Sequence, residues 1–355
     1  MRQILTLALI LAITTLPALA QTDRQLVDRY DSSVNAKRYK AALISAQQIV
    51  DRYPESATWQ FNLGSMHARL GETQPALDAL KVAVDLGYTG VRSFEHSEDL
   101  DPLRDNREFK QILAKVQSNA AKRLREFQSE AERHNPDTHI PPNLTDTPPL
   151  ILALHGTGMQ GDDMIKALRE AADSLNMILI APDALRPAQG GGFSWTYRDE
   201  SEWMVNHIIQ TAIQEHQINP EQVYLVGFSQ GANIAFSMGQ THPNLFAGII
   251  PICGHYEPQI AEPDQSQTPA PVYLMTGARD PWKKTYAAAK RDFTKSDIPV
   301  TMRVVPGIGH EIPKGQRGIA ELIRAIKWCQ DNQPTDQDQP ESTQTPERSN
   351  PTDQP

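Results

Sequence analysis

The chain of 355 residues holds only two cysteines, Cys253 and Cys329. One pair cannot supply the disulfide framework that staples small secreted domains, so stability must come from apolar cores. An oxidising compartment permits a bridge between them. Equally, Cys253 ends an apolar strand and Cys329 falls late in a helix, positions that suit small buried side chains. Runs of basic residues are absent, and the formal net charge is −9, which argues against nucleic acid or an anionic membrane as the main partner. Apolar runs long enough to span a membrane are missing too: Ile4 to Ile13 is short and Pro17 follows it. Nothing in the residue pattern implies a metal or an organic cofactor.

That short run has another use. Arg2 precedes it, and Ala18-Leu19-Ala20 ends it in an A-x-A pattern. Residues 1–20 therefore read as a secretory signal peptide cut before Gln21, with export to a periplasm or the outside and no span in the mature chain. No cysteine follows the cut, so no lipid anchor is expected there.

Residues 21–133 read as helical repeats and a capping helix. Ala42 and Ala76, Ala46 and Leu80, and Ile49 and Ala83 each stand 34 residues apart, which is the tetratricopeptide period. The second copy carries Leu63-Gly64 and Gly71 where close helix packing and a turn need them. The first is poorer, with Tyr30 and Lys37 at those places. Two repeats leave outer faces uncovered, and Asn106 to Arg133, apolar at helical spacing, offers a cap. Residues 134–149 follow as a proline-rich linker. From 150 to 330 short apolar runs alternate with helical stretches: Leu150–Leu154, Met177–Ala181, Val223–Gly227, Ala247–Ile252, Val272–Thr276 and Thr301–Val305. That order builds an α/β domain, a mostly parallel sheet buried on both faces by helices. Residues 331–355 are polar, proline-rich and without periodicity, and read as a disordered tail.

Within this domain Gly227-Phe228-Ser229-Gln230-Gly231 places a serine at a strand-to-helix turn. The turn is sharp, so side chains two residues either side of Ser229 would collide with backbone, and its hydroxyl is lifted above the sheet edge. A serine hydroxyl needs a base to take its proton and an acid to hold that base. Asp280 follows the run ending at Thr276, and His310 follows the next run in the Gly-rich Val305-Pro306-Gly307-Ile308-Gly309 turn. Of ten histidines only His310 combines strand, turn and order, while Asp292 and Asp297 lie in or after a helix. An oxyanion needs donors as well. Leu154-His155-Gly156-Thr157-Gly158 follows the first strand and resembles the H-G-x-G donor loop of esterases, which implies N–H groups from Thr157 and from Gln230.

These three ordered motifs resemble the α/β-hydrolase superfamily over about residues 150–330. G-F-S-Q-G-A, H-G-x-G and G-x-G-H together resemble its phospholipase/carboxylesterase and acyl-protein-thioesterase branch. The likeness departs at Ala232-Asn233, and no antiparallel hairpin precedes Leu150, so the first strands are missing or drawn from 136–149. The resemblance implies a serine hydrolase of carboxylic esters, with Ser229, Asp280 and His310 as triad. Pro271 follows Cys253 by 18 residues, too few for a helical lid. Candidate substrate contacts are His155, Gly156, Phe193, Trp195 and Trp282. His155 is expected to shape its loop rather than act as base. The alternatives are a peptidase using the same triad, and a catalytically inert interaction protein whose repeats bind a partner.

Overall fold

The computed structural model describes residues 23–257 and 269–333. The expected signal segment and residues 334–355 of the expected tail lie outside them. The described residues divide into two compact units that part between Phe127 and Gln128.

The first unit is helical: α1 (residues 23–35), α2 (Tyr39–Arg52), α3 (Ala57–Arg69), α4 (Thr73–Asp85), α5 (Val91–His96) and the start of α6 (Arg107–Ala131). Ser56 caps α3 by accepting from the Trp59 N–H, which relieves one of the orphan amides at a helix start. Ala42, Ala46, Ala76 and Leu80 are all fully buried. Helices α3 and α4 approach closely at Gly64, where a Cβ would stand 2.7 Å from the Leu80 side chain. Phe61, Tyr88, Phe94 and Phe109 form one aromatic cluster beneath α3, α4 and α6.

The second unit is built on one seven-stranded sheet: β1 (Asp137–His139), β2 (Leu150–Leu154), β3 (Ile178–Ala181), β4 (Val223–Phe228), β5 (Gly248–Ile252), β6 (Val272–Gly277) and β7 (Val300–Val305). Their order is β1-β3-β2-β4-β5-β6-β7. Every pair is parallel except β1 with β3. Ile151, Val226, Ile252 and Met275 pack on one face under α7 (Gly161–Leu175) and α11 (Gly315–Asp331). The alternate residues, Leu152, Leu225 and Leu274 among them, are equally buried. Helices α9 (Gln230–Thr241) and α10 (Lys283–Lys295) lie against those strands, and α8 (Arg198–His216) lies against α9. Strands covered on both faces lose the polar alternation of a half-exposed sheet, and each fully buried Leu or Ile contributes about 1.5–3 kcal/mol.

Of the two alternatives for the strands before Leu150, the structure shows the second: within 134–149, Asp137–His139 pairs antiparallel with Leu179–Ala181 as the sheet's first edge strand. One expectation needs correction. At the other edge β7 is only partly covered and Val304 is exposed. A strand with one neighbour has no second partner to bury it, so the expectation of two buried faces fails there.

Candidate functional site

Strand β4 is buried along its whole length and ends at Phe228. Ser229 follows with φ +52° and ψ −114°, a conformation that L-residues adopt rarely and under strain. Close contacts hold it there. A Cβ at Gly227 would stand 2.2 Å from the Gly231 carbonyl oxygen, and one at Gly231 would stand 2.3 Å from that of Leu154. Both positions require glycine because the opposing group is backbone. The Ser229 N–H donates to the Ile252 carbonyl at 2.9 Å, and the Gly231 N–H to that of His155 at 3.1 Å.

Strand β6 delivers Asp280 and β7 delivers His310, their loops touching where a Cβ on Gly277 would stand 2.2 Å from the Gly309 oxygen. Ser229 Oγ lies 2.8 Å from His310 Nε2, and His310 Nδ1 lies 2.8 Å from Asp280 Oδ2. The Asp280 side chain is 0% exposed while that of His310 is 35% exposed. A carboxylate only accepts, so Nδ1 carries the proton and Nε2 is left to accept from the serine hydroxyl. The second carboxylate oxygen accepts from the Trp282 N–H at 2.7 Å.

Thr157 follows β2 and Gln230 opens α9, where helix-start amides are unsatisfied within the helix. Among the described residues neither backbone N–H donates to a backbone carbonyl. Their side chains meet, Thr157 Oγ1 donating to Gln230 Oε1 at 3.0 Å. Gly156 packs against the nucleophile, where a Cβ would stand 3.1 Å from that of Ser229.

The other candidate contacts have partners of their own. His155 is fully buried. Its Nδ1 donates to the Gly156 carbonyl at 2.7 Å, and its Nε2 accepts from the Ala184 N–H at 3.1 Å. Burial lowers its pKa below the usual histidine range, so the ring is neutral and braces the loop rather than touching substrate. Trp195 is buried as well, donating from Nε1 to the His155 carbonyl at 2.9 Å. Phe193 is half-buried and its backbone pairs with Met159. Trp282 is 42% exposed and lies against the His255 ring, centroids 4.7 Å apart.

A cavity of about 540 Å³ opens beside His310, lined by Met159, Ala167, Phe228, Ile312 and Ile319 and equally by the charged Asp163, Lys166, Glu170, Glu311 and Lys314. The apolar part of this lining went unnoticed in the sequence, although Phe228 and Met159 each adjoin a motif residue and Ile312 lies two residues past His310. Cys253 and Cys329 are both free and buried, and burial pushes each thiol up to about 12.

A family pattern described as Phospholipase/Carboxylesterase matches residues 197–327. Together with the sheet order, this decides the fold. The second unit has an α/β-hydrolase fold. Among curated proteins, the chain is 26% identical over 197 residues to the putative esterase NocK of Nocardia uniformis subsp. tsuyamanensis, covering 52% of either chain. It is 29% identical over 154 residues to the bifunctional acetylxylan esterase/xylanase XynS20E of Neocallimastix patriciarum, covering 41% of this chain and 21% of that protein. The chain thus spans about half or less of these relatives. Among solved structures, esterase PE8 is 23% identical with a TM-score of 0.46, over 55% of this chain and 98% of that one.

Proposed function

We propose that this α/β-hydrolase domain is a serine esterase acting on carboxylic esters through an acyl-enzyme. The observation that carries this reading is the chain of two 2.8 Å hydrogen bonds from Ser229 through His310 to Asp280. Ser229 Oγ attacks the ester carbonyl carbon as its proton passes to His310 Nε2. Asp280 holds the imidazole in one tautomer and stabilises the imidazolium. The carbonyl oxygen becomes an oxyanion facing the Thr157 and Gln230 amides, then the intermediate collapses and His310 gives the proton to the departing alkoxide. Water repeats the sequence on the acyl-enzyme and releases the acid.

Two features favour esters with an apolar portion. Met159, Ala167, Phe228, Ile312 and Ile319 give the cavity beside His310 an apolar portion among its charged residues, and two curated relatives carry esterase in their names, which supports an ester as the bond cleaved. Export, resting on residues 1–20, belongs to the same reading. So does a tetratricopeptide-like role for the first unit in presenting substrate or binding a protein partner. A fluorophosphonate probe should label the chain on Ser229, and Ser229→Ala should abolish labelling and ester turnover. His310→Ala should lower kcat by at least ~10⁴. Turnover of esters by the Ser229→Ala protein at the original rate would sink the assignment. A panel of nitrophenyl esters of increasing acyl length then measures what the cavity accepts.

A further inference from the structure

An oxyanion site needs two N–H groups aimed at one point, and here they belong to residues 73 apart in sequence. Thr157 sits between Gly156 and Gly158, the latter at φ +79°, so its own loop has little intrinsic stiffness. The first residue of α9, by contrast, is held by the elbow. Something must fix one relative to the other, because catalytic donors act within a fraction of an ångström of their proper place.

The Gln230 side chain spans that gap. Its Oε1 accepts from Thr157 Oγ1 at 3.0 Å, from Ser194 Oγ at 3.1 Å and from the Trp195 N–H at 2.9 Å. Its Nε2 donates to the Trp195 carbonyl at 3.2 Å. One amide therefore ties three segments: the donor loop, the start of α9 and the stretch 186–197. That stretch in turn grips the donor loop, with Gly158 N–H donating to Phe193 at 2.8 Å and Phe193 N–H to Met159 at 3.1 Å. Its other end is anchored where Arg186 makes a two-pronged pair with buried Glu200, at 2.9 and 2.6 Å.

We propose that the Gln230 carboxamide is a positioning group that sets the spacing of the two oxyanion donors, with the Thr157 hydroxyl as its direct link. The proposal rests on the serine-esterase reading above, and it adds a role for side chains whose backbone alone that reading uses. Gln230→Ala keeps the backbone N–H and removes every bond of the hub. The expected result is a fall in kcat of about 10²-fold, the scale of losing one oxyanion donor, with KM within about twofold. Affinity for a trifluoromethyl ketone transition-state mimic should fall in proportion to kcat/KM, since the loss is confined to the charged intermediate. Thr157→Val, at an exposed position, should cost roughly tenfold, the scale of one hydrogen bond, and Thr157→Ser should recover most of that loss. The Thr157 variants decide the matter if Gln230→Ala does not fold. Fluorophosphonate labelling of wild-type Ser229 separates the two readings. If Ser229 labels while Gln230→Ala and Thr157→Val turn over within twofold of wild type, the positioning role is overturned and the esterase reading stands. If Ser229 does not label and no ester is cleaved, both are overturned.

Discussion

At Ser229 the backbone is held at φ +52°, a conformation that costs a non-glycine residue about 1–3 kcal/mol. Glycine carries no such penalty, so removing the hydroxyl and relieving the strain can be separated. Ser229→Gly should be more stable than Ser229→Ala by roughly that amount, with neither turning over substrate. Matched urea melts of the two inactive proteins measure it, and equal midpoints would mean that the elbow is relaxed. The buried thiols make a second statement at this scale. In the unfolded chain they ionise near their ordinary value of 9, but in the fold burial pushes both up to about 12. Their contribution to stability is therefore complete below pH 9 and is lost as pH climbs towards 12, because only the unfolded state gives up the protons. Urea midpoints should fall over that window, less so once both cysteines are replaced by alanine, and native thiols should resist a disulfide reagent at pH 8. Strand, turn and chain order singled out Ser229, Asp280 and His310 in the sequence, and the fold brings their side chains within hydrogen-bond distance of one another. Residue type could not say which way an aromatic faces: Trp195 turns inward to the His155 carbonyl, while Phe228, the variable residue of the serine motif, lines the cavity.

Elements differ in how much of their order is local. Strands β2 to β6 are apolar along most of their length, a pattern that only burial on both faces explains, and so they could be read directly. Strand β1 is Asp-Thr-His within a proline-rich stretch and exists because β3 offers it an open edge. No local signal marks such a strand. The stretch 186–197 is similar, held by long-range bonds to Gln230, Met159 and Glu200 rather than by any periodicity. Where elements press together, the requirement is steric and can be tested. Gly231→Ala would put a Cβ 2.3 Å from the Leu154 oxygen, and neither β2 nor α9 has a flexible side chain there to yield. The expected cost is about 1–3 kcal/mol for forced separation, together with a large drop in kcat as the Gly231–His155 backbone bond opens and the elbow shifts. Thermal melting and kcat on one short ester check both. Native stability with full turnover would show that the α9 start moves freely.

On the scale of the whole molecule, each unit has a core of its own. The helical unit closes around Phe61, Leu80, Phe94 and Phe109, and the second around both faces of its sheet. The 34-residue spacing made the helices legible. It did not reveal that α6 runs past the division at residues 127 and 128, because a long amphipathic helix shows no break in periodicity where it passes from one unit to the next. This matters for where a truncation should begin. A chain starting at Leu150 would lose β1 and leave the β3 edge unpaired, an invitation to self-association. Starting at Gln128 keeps β1 and the last turn of α6. Ser229, Asp280, His310, Thr157, Gln230 and every residue lining the cavity lie beyond that point. The chain 128–333 should therefore fold and hydrolyse a short nitrophenyl ester with kcat within a few-fold of the full protein. Turnover of a larger substrate should fall further if the helical unit presents it. The measurement is kcat for both chains, after circular dichroism has established that both are folded. A folded 128–333 chain without turnover would mean that the helical unit supplies part of the active site, and the esterase reading of the second unit alone would have to be abandoned.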